Sequence, residues 1–366
     1  MKKTKVLLLH KGTKCDYQND MVFISLLTNQ NIIFDSNIYP DFLFKDFKGS
    51  NLYGRGFTMY KKLDISYKKN DLDNLIIKKR IESTYYDLII YSSIRRYDKF
   101  FNQVIKFYSR DKIICIDGED DLTFSVKHYL NACYFKREMS KFLAKINIEP
   151  ISFFIPNLVL EELKKNYNFN LKKKFMKAYC DPNDKKTYIF KDEKNYYKQY
   201  SNSLFGVTKM KRGWDCLRHY EIILCNCLPY FENFDRKPPL VMQGYPEKYQ
   251  LNANNLFKLQ ADKKVCDFDI KKYKYLISKF QKYQEEMSYS FGSIKLKNMI
   301  LDKKRVKKSL ISRNKNIFWI LFLRIVNIFL VFKWIFMISR EKKKPSRIII
   351  FIYNFLIKNT FKKLLN

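Results

Sequence analysis

Arg218 and Glu221 stand three residues apart, just after a basic loop carrying Lys209, Lys211 and Arg212 and closed by Gly213. If a helix opens after that loop, the two side chains share one face near its N-terminus. Free N–H groups and the positive end of the helix dipole gather there, which suits a pyrophosphate. A guanidinium pairs with phosphate through parallel N–H donors, and a carboxylate accepts from a ribose diol. Gly213 lets the backbone turn closely into the helix. A lone Arg-x-x-Glu pair reads as an ordinary surface feature. Its combination with a strand, a basic loop and a glycine across residues 203–231 points to a phosphate ligand.

Other residues are of types that could serve as a general base toward a hydroxyl. One candidate set is Asp117, Glu119 and Asp120, in the run Asp117-Gly118-Glu119-Asp120-Asp121 that follows the apolar strand KIICI. The alternative is a solvated acidic loop capping the next helix. His10, at the end of the first apolar run, is the other base candidate, and its alternative is a hydrogen-bonded rim histidine. Asp16 and Asp20 are placed either to contact acceptor hydroxyls or simply to start a helix. Cys216, His219, Cys225 and Cys227 fall within one short helix and its end, a spacing unsuited to four convergent zinc ligands.

These groups need a scaffold. Apolar runs at residues 5–9, 31–34, 86–91 and 112–116 alternate with helical patterns such as 19–28. Continuous β-branched runs suit strands buried on both faces, hence a parallel sheet with helices on both sides. Ligands bind beyond the C-terminal ends of such strands, which places His10, Ser92, Ser93 and residues 117–121 at one rim. A second unit begins near Pro150, with an apolar crossing segment at 151–155. It continues with helix 157–167, strand 175–179, a short run at 187–190, helix 192–201 and strand 203–207. The basic loop then leads to a helix over 214–225, and a charged helix over 271–286 closes the unit. The expected fold class is α/β, with domains at 1–150 and 151–300 and a basic, apolar tail at 301–366.

The stretch 203–231 resembles the C-terminal domain motif of GT-B glycosyltransferases, particularly the spore-maturation CgeB-like bacterial group. The matching residues are GWDCLRHYE at 213–221, followed by an apolar run and a turn into Pro229. That turn usually carries a small residue; here it is Cys225-Asn226-Cys227, and Asn tolerates the left-handed conformation. Looser similarity covers CDYQNDM at 15–21, LYGRGFT at 52–58, DGEDD at 117–121, YFKRE at 134–138 and PLVMQGY at 239–245. The resemblance implies two Rossmann-like domains facing a cleft, with the first on the acceptor side and the second binding a nucleotide sugar. It gives Glu221 the donor ribose, and Arg218, Lys209 and Arg212 the diphosphate. It implies metal-independent sugar transfer, with a nucleotide-sugar donor and a glycan or lipid-linked acceptor in surface polysaccharide synthesis. A catalytically inactive scaffold of the same fold is the nearer alternative.

Composition bounds the partners. The 366 residues carry a formal charge of +35 with 46% hydrophobic residues, enough for two cores and an appendage. Residues 301–366 hold 17 Lys/Arg against 2 Asp/Glu, a net of +15. Such charge also suggests a nucleic-acid binder, but no helix-turn-helix or RNP-type module accompanies it, and no nucleic-acid partner is expected. The eight cysteines are scattered, unlike a disulfide framework. The apolar run at 6–9 is too short for a signal peptide, so a cytoplasmic protein is expected. Residues 317–338 are long enough to span a bilayer, yet contain Arg324 and Lys333, each costing about 2.5–3.5 kcal/mol at mid-bilayer. Basic runs lie on both sides. The expectation is helices lying on the inner, anionic membrane surface through residues 303–358, with a span over 317–338 or a helix packed on the body as alternatives.

Overall fold

A computed structural model describes residues 3–12, 14–49, 57–168, 173–182, 184–260, 269–289 and 317–342. The first half is built on a six-stranded parallel sheet. Its strands are β1 (Thr4–Leu9), β2 (Ile32–Ser36), β3 (Leu88–Tyr91), β4 (Ile113–Asp117), β5 (Cys133–Lys136) and β6 (Glu149–Pro150). Their spatial order is β2-β1-β3-β4-β5-β6. Every residue of LIIY in β3 and IICID in β4 is buried, as strands covered on both faces require. The sheet reverses its winding between β1 and β3, the place where open parallel sheets open a crevice.

Helices α1 (Tyr17–Leu27), α2 (Asn74–Glu82), α3 (Phe101–Phe107), α4 (Val126–Asn131) and α5 (Lys141–Lys145) connect these strands. Asp16 caps α1, its carboxylate accepting from the backbone N–H groups of Gln18 and Asn19 at 3.2 and 3.4 Å. Asp73 caps α2 in the same way.

The expected crossing strand at 151–155 is not a strand: pairing ends at Pro150, and the segment runs on as buried irregular chain. Its N–H groups are divided between the two halves: Ile151 donates to the Lys136 carbonyl at 3.0 Å, and Phe153 donates to Asp215 Oδ2 at 2.7 Å. Helix α6 (Asn157–Asn166) follows and packs against α1.

The second half has a three-stranded parallel sheet, β7 (Phe175–Lys177), β8 (Ser203–Thr208) and β9 (Leu228–Phe231), with β8 in the middle. Helices α7 (Glu193–Ser201), α8 (Leu217–Leu224), α9 (Glu247–Gln260) and α10 (Ile270–Tyr289) surround it. The short run at 187–190 is not a strand; a single 3-10 turn ends at Thr187. Both halves are thus parallel α/β units.

A last helix, α11 (Ile317–Lys342), is long and apolar enough to cross a bilayer by length and composition. It packs on the body. The Asn327 amide makes a reciprocal pair with the Phe124 backbone, accepting from its N–H at 3.1 Å and donating to its carbonyl at 2.8 Å. Trp334 Nε1–H donates to the Asp120 carbonyl at 2.8 Å, and Trp214 Nε1–H approaches Met337 Sδ at 3.4 Å. Leu323, Leu330, Val331 and Ile335 are buried on the same side. The remaining tail expectations, at 303–316 and 343–358, lie outside the described residues.

Candidate functional site

The expected helix at 214–225 starts three residues late, at Leu217. Trp214 and Asp215 are held out of it by long-range bonds. The Asp215 N–H donates to Glu138 Oε1 at 3.1 Å, and its carboxylate accepts from Phe153 N–H and from the Tyr220 hydroxyl at 2.9 Å. Gly213 lies at a close approach rather than in the first turn. A Cβ there would stand 2.5 Å from Glu138 Oε1 and 3.0 Å from Asp120 Oδ1, so any larger residue would have to displace the Glu138 carboxylate.

At the true start of α8, the N-cap Cys216 makes no side-chain cap and the first turn holds no acidic residue. Its free N–H groups therefore lack an anion. Arg218 extends from this first turn with its guanidinium 4.8 Å over the Tyr188 ring. Its Nε and Nη1 are sealed from solvent and have no hydrogen-bond partner among the described residues. Lys211 reaches the same ring, with its Nζ 5.1 Å from the centroid. Burial and the adjacent Arg218 charge lower the Lys211 pKa. Two cations and a helix N-terminus thus converge on a region with no compensating carboxylate in salt-bridge contact with Arg218 or Lys211 among the described residues. Lys209 is half-buried and Arg212 exposed on the same loop.

Glu221, one turn further along α8, is buried, and burial raises its pKa. Oε1 accepts from the Thr58 hydroxyl of the first half, and Oε2 accepts from the Tyr196 hydroxyl at 2.5 Å. Thr58 is fixed in turn by Glu193, which accepts from its N–H at 2.9 Å. Residues 52–56 of the LYGRGFT stretch lie outside the described residues, but its last two, Phe57 and Thr58, meet the second half here, with Phe57 stacked 4.9 Å from Tyr196. Glu221 is therefore a carboxylate that binds hydroxyls where the two halves touch.

The acidic loop is arranged otherwise than a free base requires. Asp117 accepts from the Tyr134 hydroxyl at 2.7 Å and lies 3.2 Å from the Lys136 ammonium, its register partner across β4 and β5. Glu119 pairs with Arg96 at 2.5 Å, Asp120 with Arg137, and Asp121 with Arg95 at 2.7 Å. Each carboxylate is held by a cation, so the loop is an ion-paired brace.

His10 is fully buried. Its Nε2–H donates to the Ile38 carbonyl at 3.1 Å, leaving the lone pair on Nδ1, which has no partner among the described residues. Burial lowers its pKa to about 4, so the ring is neutral near pH 7. Asp16 is taken up by Arg96 and Ser93, and Asp20 is buried beside Asn19. His219 uses both ring nitrogens on Thr208 and the Trp214 carbonyl, at 2.9 and 2.8 Å.

Sequence reasoning assigned no role to Arg137 or Glu138, although both lie in the YFKRE stretch. Arg137 is buried, stacks 4.5 Å over Phe153, and donates to the Gly118 and Asp215 carbonyls as well as Asp120. Beside it, Glu138 Oε2 is buried without a hydrogen-bond partner among the described residues. Burial, opposed by Arg137, raises Glu138 to about 7. Unfolded, that carboxyl titrates near ~4.3. The folded state therefore holds the proton longer, and the stability it brings is complete below the unfolded pKa and lost as pH rises through about 7. Glu138→Gln should flatten the fall in thermal midpoint between pH 5 and 8 relative to the unaltered chain. Parallel curves for the two proteins would count against this assignment.

Compared with protein-family models, the chain matches none, and compared with curated proteins it matches none.

Proposed function

We propose that the chain is a GT-B-type glycosyltransferase. In this reading the two α/β halves face each other across a donor site, and a sugar passes from a nucleotide-sugar donor to a glycan or lipid-linked acceptor in surface polysaccharide synthesis. One observation carries it: the buried Arg218 guanidinium, with Nε and Nη1 unpartnered, at the uncapped start of α8 beside Lys211. A buried donor left without an acceptor costs about 1–3 kcal/mol, more when charged. A diphosphate supplies the missing acceptors and neutralises both cations. Lys209, Arg212 and the backbone at Gly213 border the same loop and would meet the outer phosphate. Glu221 already accepts from two hydroxyls, the chemistry a ribose diol offers, so the diol would exchange with Thr58 and Tyr196.

A second reading has its own support. Asp117, Glu119 and Asp120 are held by cations, and the fully buried His10, its pKa lowered to about 4, is a weak base shut away from solvent. An inactive scaffold of the same fold would bind a nucleotide without cleaving its sugar.

Incubation with UDP-, GDP- and CMP-linked sugars separates these cases. The transferase reading expects at least one donor to bind and release nucleotide, with Glu221→Gln weakening its binding. Binding without release supports the scaffold. A chain that binds none of the three refutes both.

A further inference from the structure

The docked side of α11 leaves its opposite side bare. Phe318, Phe322, Ile325, Phe329, Phe332 and Phe336 recur at alternating four- and three-residue steps and are all exposed, Phe318 by 76% and Phe336 by 71%. That spacing is one stripe along the helix. The docked stripe, Leu323, Asn327, Leu330 and Trp334, follows the same steps on the other side. Turning 100° per residue, Arg324 and Lys333 fall roughly 120° and 60° to either side of the centre of the exposed apolar face. Both are exposed. Two charges that no single polar stripe accommodates are thus the two borders of one apolar face.

We propose that this face lies in the plane of an anionic lipid leaflet, seated at the level of the headgroups, and is the surface by which the protein holds a membrane. The inference does not depend on the sugar-transfer reading. Three observations select this occupant.

A bilayer-spanning helix is surrounded by lipid, and α11 is not free to be. To leave the body it would strip the Phe124 N–H and carbonyl of the Asn327 amide and the Asp120 carbonyl of Trp334. A leaflet touching only the outer face must run along the helix axis. The bordering charges are both positive, and the adjoining sequence adds Lys307 and Lys308 before the helix and Lys343, Lys344 and Arg347 after it. Anionic headgroups complement that charge at the depth to which Arg and Lys side chains reach from an apolar stripe. A second copy of the chain would instead bring Arg324 and Lys333 against their own kind, on bodies of formal charge +35 each.

The docked side connects this surface to the candidate site. Trp334 holds the Asp120 carbonyl, and Met337 lies against Trp214, the residue after Gly213. A membrane under α11 would lie close to the loop that precedes α8, where a lipid-borne acceptor has a short path.

The test is flotation of the full chain with vesicles of phosphatidylcholine alone or with phosphatidylglycerol. The full chain should float with the anionic vesicles and be released from them by alkaline carbonate. Phe329→Glu/Phe332→Glu should lower the bound fraction at least tenfold, with an unchanged circular dichroism spectrum. Arg324→Glu/Lys333→Glu should weaken the preference for anionic vesicles while leaving the fold intact. Carbonate-resistant insertion would overturn the in-plane arrangement. Undiminished flotation of the Phe329/Phe332 variant would overturn the assignment of this face. So would a wild-type dimer that fails to float and is split to monomers by those substitutions.

Discussion

Arg218→Gln should weaken binding of a nucleoside diphosphate by about 10- to 150-fold, the loss of roughly 1.5–3 kcal/mol that a hydrogen bond to a charged group contributes. The substitution keeps an amide able to lie over Tyr188 but removes the charge and the two unpartnered donors. Arg218→Lys should rescue poorly, because an ammonium cannot present the planar fork. The fold should survive, since Nε and Nη1 have no partner among the described residues and removing them orphans none of these. Calorimetric titration with UDP and GDP checks both halves of the statement. Equal affinity in the variant would remove Arg218 from the site.

Arg137→Ala should cost the most stability of any single change here, about 3–5 kcal/mol, the cost of removing one partner from a buried charge network. Its guanidinium serves Asp120, the Gly118 carbonyl, the Asp215 carbonyl and Glu138 together, and its removal leaves Glu138 with the Asp215 N–H alone. The network joins the acidic loop of the first half to the residues that precede α8 in the second. Its loss should therefore loosen the start of α8 as well as lower the unfolding free energy. Arg137→Met keeps the packing over Phe153 and separates lost contact area from lost charge. Denaturant unfolding measures the effect, and a loss below about 1 kcal/mol would mean the network is not a brace.

Parts of this arrangement are legible in the sequence because they depend on local pattern. The β-branched runs at 86–91 and 112–116 become β3 and β4, and the alternation of strand and helix becomes a parallel sheet, since a strand buried on both faces must be apolar along its whole length. The basic loop and the Arg218–Glu221 spacing are equally local, and both lie on or before α8.

What escapes the sequence is long-range. The start of α8 is delayed because Asp215 bonds to Glu138 and Phe153, which stand 77 and 62 positions earlier. Thr58 meets Glu221 across 163 positions, a pairing that no periodicity encodes. The carboxylates of the acidic loop look free in sequence because their cations, Arg95, Arg96, Lys136 and Arg137, come from a neighbouring loop and the next strand. One residue of the last helix did carry a signal. Asn327 is a lone amide in an apolar run, and it marks the side that docks on Phe124, 203 positions away.

The most direct measurement is a crystal structure of the chain soaked with a nucleoside diphosphate. The account predicts phosphate oxygens within about 3 Å of Arg218 Nε and Nη1, with Lys211 turned toward them and the ribose hydroxyls on Glu221. A diphosphate bound elsewhere, with those two nitrogens still unpartnered, would contradict it.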